Sequence, residues 1–334
     1  MSAVIDMHAH VIVPELLRDA APEESWRPRV WREGGQQAFE VGRREVRSAV
    51  REWTDLDRIV ADQDAAGTDV VVLSPLVLLL SYDAAPTEAV RRCRIQNEGL
   101  ARMVAAGGGR VGALGTVPLQ DPRPAAQELR ALMADGVLGG VEVAANVGGR
   151  YLGDDAFEPF WAAAEETGAV VFIHPTTRGF DAPVFGEHYL WNAVGNPLET
   201  TVTAAHLVMT GTMERHPGLK VVLAHGGGAI LTLRGRLRHA HSFQPQARSR
   251  LRESPEESLR RFHYDTVVHD PDLLRGLVAT VGADRVVLGS DHPFDMGDLR
   301  PADSVRSAAL DPHDEAAVLG GNAARLLGLE VAAA

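Results

Sequence analysis

Histidine and aspartate stand where several apolar runs of the sequence end. His8 and His10 are two residues apart in IDMHAH, His174 follows VVFI, His225 follows VVLA and Asp291 follows VVLGS. Alternate residues of a strand point to the same side, so His8 and His10 can converge on one cation. Imidazole and carboxylate ligands with one open coordination position are typical of catalytic zinc, or of a related divalent transition metal.

Eight β-rich runs recur along the chain, and helical patterns lie between most of them. The runs are mostly apolar on successive residues, as is typical of parallel strands covered on both faces. Eight strand and helix units predict an α/β fold of the TIM (β/α)8 barrel type, and residues 1–334 fit one such domain. The predicted strands are Val4–His10, Thr68–Pro75, Val111–Pro118, Gly139–Ala145, Ala169–Pro175, Lys220–Gly227, Arg261–Val268 and Val286–Pro293.

Two stretches do not fit the bare repeat: Glu15–Trp53 follows the first predicted strand, and Thr176–Asn196 follows the fifth. Both follow the carboxyl ends of strands, where the loops of this fold build the active site. We therefore predict an active-site insertion at about residues 15–53. The alternative, that the polar residues at these strand ends are merely solvated, is disfavoured because unused polar groups are unfavourable there.

Composition narrows the function classes. The formal charge is −12 and no basic cluster has an aromatic neighbour, which argues against a nucleic acid or an anionic membrane as partner. The single cysteine, Cys93, cannot form a disulfide within the chain, so we expect a cytoplasmic location. The first residues lack the pattern of a signal peptide, and no apolar run is long enough to span a membrane.

The order of these histidines and the aspartate resembles the amidohydrolase superfamily, and more narrowly its branch containing aminocarboxymuconate-semialdehyde decarboxylase. The resemblance covers nearly the whole chain. The motifs that carry it are IDMHAH (5–10), QDAAGTDV (63–70), LGTVPLQD (114–121), GNPLETT (195–201), GLKVVLAHGGG (218–228), YDTVVHDP (264–271), GADRVVLGSD (282–291) and GNAARLLGL (321–329).

This resemblance implies specific roles. It assigns the metal to His8, His10, His174 and Asp291, and makes His225 the catalytic acid and base. Many amidohydrolases bridge two metals with a lysine on the fourth strand, but that strand carries Glu142 here, and the only lysine, Lys220, starts another strand. A lysine-bridged centre of two metals is therefore excluded, and one zinc per chain is expected.

The resemblance also implies residues that bind a small carboxylate substrate. Arg236, eleven residues after His225, matches an arginine that in relatives reaches the neighbouring subunit's site, which implies a homodimer. Trp191 could stack on a planar substrate, or it could be a packed loop aromatic. A second carboxylate-binding arginine is expected at Arg47, with Arg43, Arg44 and Arg51 as alternatives.

Two departures from the branch bear on the substrate. Thr176 and Thr177 follow the fifth strand where relatives have tryptophan, and His292 stands where tyrosine is common. The expected function is a metal-dependent non-oxidative decarboxylase of a small conjugated or aromatic carboxylic acid. The alternatives are a metal-dependent hydrolase of a C–N, ester or C–C bond, and a barrel that keeps the motif as a structural metal site.

Overall fold

The computed structural model describes residues 3–17, 24–33, 36–42, 44–49 and 51–329. The strands are β1 (Ile5–Val11), β2 (Arg29–Glu33), β3 (Gln36–Val41), β4 (Arg44–Ala49), β5 (Val70–Pro75), β6 (Val111–Ala113), β7 (Gly140–Ala144), β8 (Asn146–Val147), β9 (Arg150–Tyr151), β10 (Val170–His174), β11 (Lys220–Leu223), β12 (His263–Asp265) and β13 (Val286–Val287). The helices are α1 (Leu56–Ala66), α2 (Pro86–Ala106), α3 (Pro122–Asp135), α4 (Glu158–Thr167), α5 (Asn196–Met209), α6 (Thr212–Arg215), α7 (Ile230–Phe243), α8 (Pro255–Leu259), α9 (Pro271–Val281), α10 (Pro301–Ser307), α11 (Pro312–Ala316) and α12 (Asn322–Leu327).

Eight of the strands run parallel, and each overlaps one of the eight predicted runs; β1 extends one residue beyond its run, to Val11. They form two sheets, with the orders β1-β5-β6 and β13-β12-β11-β10-β7. Two isolated parallel bridges join these sheets, Gly115 with Val141 and Ala9 with His292. The backbone N–H of His10 also donates to the carbonyl of His292 at 2.7 Å. The segment that follows β13 therefore lies beside β1.

The paired strands end earlier than predicted at two functional positions. β11 ends at Leu223 and β13 ends at Val287, so His225 and Asp291 lie beyond the ladders. His225 has a φ of 56° and Asp291 a φ of 58°. This left-handed conformation is incompatible with a continuing strand, and it turns both side chains out of the strand direction. Within the described ranges, no helix combines the length and apolarity needed to cross a membrane.

A small antiparallel sheet of β2, β3 and β4 lies in the chain between β1 and α1. Its Phe39 is fully buried and packs against Trp53 with ring centroids 5.0 Å apart. Trp53 in turn lies 5.1 Å from the ring of Phe294. Because Phe294 follows Asp291 closely in the chain, these aromatic contacts hold the small sheet against the segment that carries Asp291.

Glu52 fixes the end of this small sheet. Its buried carboxylate accepts hydrogen bonds from the Gln37 side chain at 2.9 Å and from the backbone N–H groups of Trp53 and Thr54 at 3.0 and 2.9 Å. Burial favours a higher pKa for Glu52, but the hydrogen bonds from Thr54 and Gln37 outweigh it and lower the pKa to about 2. The ring of His292 contacts the Glu52 carbonyl at 3.0 Å, which joins this turn to the last parallel strand.

Glu52→Gln should lower the free energy of unfolding by about 1–3 kcal/mol at neutral pH, because buried donors lose a charged acceptor. The folded-state pKa lies below the ordinary 4.5, so this stabilisation is present above pH 4.5 and is lost as the pH falls toward 2. Urea titrations of wild type and variant at several pH values measure it. Glu40→Gln, which changes a partly exposed glutamate of the same small sheet, is the control. A difference that did not shrink on acidification would contradict this account.

Candidate active site

Three histidines from two strands surround one oxygen of Asp291. His8 and His10 on β1 are fully buried, and their Nε2 atoms lie 3.2 Å apart. Asp291 Oδ1 lies 3.2 Å from His8 Nε2 and 3.3 Å from His10 Nε2. His174, the last residue of β10, places its Nε2 4.0 Å from the same oxygen. The alternation of β1 and the exits of parallel strands therefore bring together four side chains from distant parts of the sequence.

His225 contacts the other oxygen of the same carboxylate. Its Nε2 lies 3.4 Å from Asp291 Oδ2, whereas the other three histidines face Oδ1. Its Nδ1 is buried and has no hydrogen-bond partner among the described residues. Distance alone also groups His225 with His8, His174 and Asp291 as a possible metal-ligand set. The division between the two carboxylate oxygens distinguishes His225 from the other histidines.

The donor atoms around Asp291 Oδ1 fit a divalent metal. Asp291 Oδ1 and His174 Nε2 are buried and have no hydrogen-bond partner among the described residues. With metal–ligand bonds of about 2.1 Å, a tetrahedral site separates neighbouring ligand atoms by roughly 3.4 Å. The distances of 3.2, 3.3 and 4.0 Å to Asp291 Oδ1 lie close to that separation. His8, His10, His174 and Asp291 can therefore share one cation.

The charges of the cluster favour an ionised Asp291. Burial favours a higher pKa for this carboxyl, but His8 and His10 outweigh burial and hold the pKa well below its usual range. Burial acts to lower the pKa of His8, but the charges of Asp291 and Asp265 raise it to about 10. Burial and then the neighbouring His10 lower the pKa of His174 well below its ordinary value. Burial also acts to lower the pKa of His10, but the nearby carboxylates raise it, so a metal would compete with protons for the β1 histidines.

Two buried carboxylates lie near the Nδ1 atoms of the β1 histidines, and His10 Nδ1 also contacts the Pro75 carbonyl at 3.4 Å. Asp265 Oδ2 lies 2.6 Å from His8 Nδ1, and Glu142 Oε2 lies 3.5 Å from His10 Nδ1. Both glutamate oxygens are buried and have no hydrogen-bond partner among the described residues. Metal-ligating histidines commonly direct their second ring nitrogen toward such a carboxylate, which fixes the ring and its tautomer.

Asp265 also fixes the position of His225. It accepts the backbone N–H of His225 at 3.0 Å and that of Gly226 at 2.7 Å. The sequence alone did not point to a role for Asp265 or Glu142. Glu142 was noted only because it stands on the fourth predicted strand, where many amidohydrolases carry a metal-bridging lysine. The available signal was a carboxylate inside an otherwise apolar strand, since such a group needs a partner when buried.

A cavity adjoins the cluster, and only some of the predicted substrate residues line it. His174, Asp291 and Trp191 line it, together with Val46 of the small sheet and Arg178, which sequence reasoning did not select. The remaining lining residues are Val77, Leu78, Pro175, Thr176, Asn192, Asn196 and Phe294. Five of the lining side chains are aliphatic, proline or phenylalanine, and Trp191 adds a flat ring, so the walls suit a planar apolar ring with polar substituents.

The predicted arginines lie elsewhere. Arg47 is exposed, forms ion pairs with Glu33 and Glu45, and does not line the cavity. Arg236 is exposed on α7 and has no ion pair within the described part of the chain. Of the alternatives to Arg47, Arg44 lies 3.9 Å from Asp181, Arg51 donates to the carbonyls of Leu299 and Asp62, and Arg43 lies outside the described residues.

Comparisons with known proteins find similar sequences and similar folds. The family model described as Amidohydrolase matches residues 5–329. The chain is 32% identical to 2-amino-3-carboxymuconate-6-semialdehyde decarboxylase of Dictyostelium discoideum over 279 residues, 83% of this chain and 77% of that protein. It resembles the solved 5-carboxyvanillate decarboxylase of Sphingomonas paucimobilis with a TM-score of 0.80, 25% identity, and coverage of 98% and 100%. The dihydroxybenzoic acid decarboxylase of Polaromonas sp., solved with manganese, shares the fold at a TM-score of 0.80, 22% identity, and coverage of 99% and 98%.

Glu142→Gln should weaken the binding of a divalent metal roughly ten- to a hundredfold, because an amide orients and polarises His10 less well than a carboxylate. Competition with a chromophoric chelator measures the affinity independently of any turnover. Glu128→Gln, which changes a glutamate paired with Arg94 outside the cluster, is the matched control. Unchanged affinity in Glu142→Gln would show that the carboxylate does not support a metal ligand.

Proposed function

Because the chain belongs to the amidohydrolase family, and to its aminocarboxymuconate-semialdehyde decarboxylase-like branch, we propose that it is a metal-dependent non-oxidative decarboxylase. Its substrate would be a small conjugated or aromatic carboxylic acid. The observation that carries this proposal is the division of one buried carboxylate, Asp291, between three ligand-like histidines on Oδ1 and His225 on Oδ2. The names of the relatives support the reaction type.

We further infer that the two parallel sheets close into one TIM (β/α)8 barrel that forms a single domain. The two isolated bridges between the sheets support this closure. The three-stranded antiparallel sheet within residues 15–53 would be the active-site insertion, which is supported by Val46 in the lining of the cavity. A cytoplasmic location stays a prediction from the single, buried Cys93.

One divalent metal per chain, zinc by preference, would be held by His8, His10, His174 and Asp291. When bound, the metal supplies Lewis-acid polarisation of a substrate oxygen. His8 and His10 would be held in register by Asp265 and Glu142. Asp291 would contribute to both the ligand set and the catalytic set, since its second oxygen holds His225 in place.

His225 would deliver the proton. The bond between the ring or conjugated carbon and the carboxylate breaks, CO₂ leaves, and its bonding electrons remain on that carbon in conjugation with the ring. Protonated His225 then donates its proton to the same carbon, so the carbon–carbon bond is replaced by a carbon–hydrogen bond. Its place between Asp291 and the backbone anchor on Asp265 supports this role, because a proton donor must be held at fixed distance from the reacting atom.

The substrate carboxylate and ring would be bound by Arg47, Trp191 and Arg236. Trp191 is favoured by its place in the cavity lining, whereas Arg47 would have to leave its pairs with Glu33 and Glu45. Arg236 would act in the site of a second subunit of a homodimer. The exposed Leu233 and Phe243 on α7, the helix that carries Arg236, support burial of this face in a subunit contact.

His225→Ala should keep about one metal per chain and lose turnover by roughly a hundredfold or more, because it removes the proton donor and leaves the ligands in place. His8→Ala, His174→Ala and Asp291→Ala should lose both metal and turnover. Elemental analysis measures the metal and distinguishes zinc from manganese. Turnover is followed as CO₂ release with a panel of aromatic and muconic acids.

Two outcomes would contradict this reading. Cleavage that consumes water and releases no CO₂ would make the enzyme a hydrolase of the same fold. If His225→Ala bound no metal, His225 would be a metal ligand rather than the proton donor.

Arg236→Ala and His225→Ala should each be nearly inactive alone, yet an equal mixture should recover on the order of a quarter of wild-type activity. Each site of a two-fold dimer would take His225 from one chain and Arg236 from the other. About half of the mixed dimers would be hybrids, and each hybrid would have one intact site. Differently tagged chains verify subunit exchange. An inactive mixture with proven exchange would place the action of Arg236 within its own chain or nowhere.

A further inference from the structure

The positively charged Arg178 lies in the wall of the cavity that adjoins the cluster of histidines and Asp291. It lines this cavity together with His174 and Asp291, and its guanidinium carbon lies 4.4 Å from the centroid of the Trp191 ring. Burial, and then the nearby charge of Arg44, lower the pKa of Arg178 from its ordinary value, but a guanidinium stays charged at neutral pH. No carboxylate of the described residues lies within ion-pair distance of its guanidinium, although the charge of Asp181 in the same loop acts on it.

A buried glutamate holds the loop that presents Arg178. Glu199 on α5 is fully buried, and its Oε2 accepts the N–H of Thr176 at 3.2 Å and the N–H and hydroxyl of Thr177 at 2.8 and 2.6 Å. The other oxygen accepts the side-chain amide of Asn146 at 2.7 Å. The loop is therefore held in place just before Arg178.

The backbone at Arg178 adopts a conformation that L residues rarely take. Its φ is 53°, and the next residue, Gly179, has a φ of 80°. A Cβ at Gly179 would lie 2.4 Å from the ring of Phe185, so the loop tolerates only glycine there. The N–H of Asp181 donates to the carbonyl of Thr177 at 2.9 Å and closes the turn. Such strained residues persist where the surrounding structure fixes them, and they cluster at ligand sites.

We propose that Arg178 binds a second anionic substituent of the substrate, distinct from the carboxylate that is lost. The proposal rests on the proposed decarboxylase function, and it narrows the substrate class to aromatic or conjugated acids with two anionic groups. The Arg178 guanidinium lies over the Trp191 ring, and its N–H groups would bind a carboxylate in a bidentate manner. Trp191 and the apolar walls of the cavity would contact the substrate ring.

The role of the second group follows from the chemistry of decarboxylation. The leaving carboxylate loses its negative charge to the ring as CO₂ departs. An arginine that binds the leaving carboxylate loses part of its interaction as the charge moves to the ring, so it contributes more to substrate binding than to the transition state. An arginine paired with a substituent whose charge does not change binds both states equally and fixes the orientation of the ring.

The test compares equilibrium binding of dianions and a monoanion to the metal-loaded protein. Phthalate, isophthalate and terephthalate are compared with benzoate by titration calorimetry. Wild type should bind at least one dianion roughly ten- to a hundredfold more tightly than benzoate, as expected for a charge-assisted pair. Arg178→Gln should abolish this preference and leave benzoate binding unchanged, and Arg178→Lys should keep part of it because the charge remains without the fork.

Arg29→Gln is the matched control, since Arg29 also lies over a tryptophan, Trp31, but outside the cavity. Equal metal content and melting temperature show that the variants are folded. No preference for any dianion in wild type, or an equal loss of benzoate and dianion binding in Arg178→Gln, would overturn the proposal. Because the assay needs no turnover, an Arg178-dependent preference without CO₂ release would count against the decarboxylase function alone.

Discussion

A buried carboxylate that needs positive partners governs the arrangement of this molecule. Asp291 lies almost fully inside the protein, where an isolated charge would be very costly. Its two oxygens are surrounded by ring nitrogens that arrive from β1, from the end of β10 and from the turn after β11. The parallel strands are what permit this, because their carboxyl ends meet on one side and bring together residues almost 300 positions apart in the chain.

Much of this site could be predicted because its positions follow from regular structure. Apolar runs revealed the strands, and their periodicity placed His8 and His10 on one side of β1. The bounds of the strands were less accurate at His225 and Asp291, since a left-handed residue ends a ladder without any distinctive residue type. The roles of Asp265 and Glu142 were missed because they face His8 and His10 on the other parallel sheet, and the sequence alone does not show which buried carboxylate meets which histidine.

The residues that bind the substrate were harder to predict than the metal ligands. Arg47 was selected by its resemblance to a carboxylate-binding arginine of relatives, yet it forms ion pairs with Glu33 and Glu45 on the small sheet. Arg178 follows a pair of threonines in a loop of unusual length, and its position depends on Glu199 from a helix further along the chain. Loop conformations depend on such distant partners more than on their own residues, which is why a single sequence constrains them weakly.

The anchorage of that loop has a consequence for how this scaffold can change over evolutionary time. His8, His10 and His174 and the carboxylates of Asp265 and Glu142 lie on strands, whereas the loop after β10 is held to α5 through Glu199. The two sets of contacts share no residue. Substitutions in the loop can therefore change which ligand binds without perturbing the cluster. Homologues that share this reaction chemistry can in this way evolve different substrate specificities.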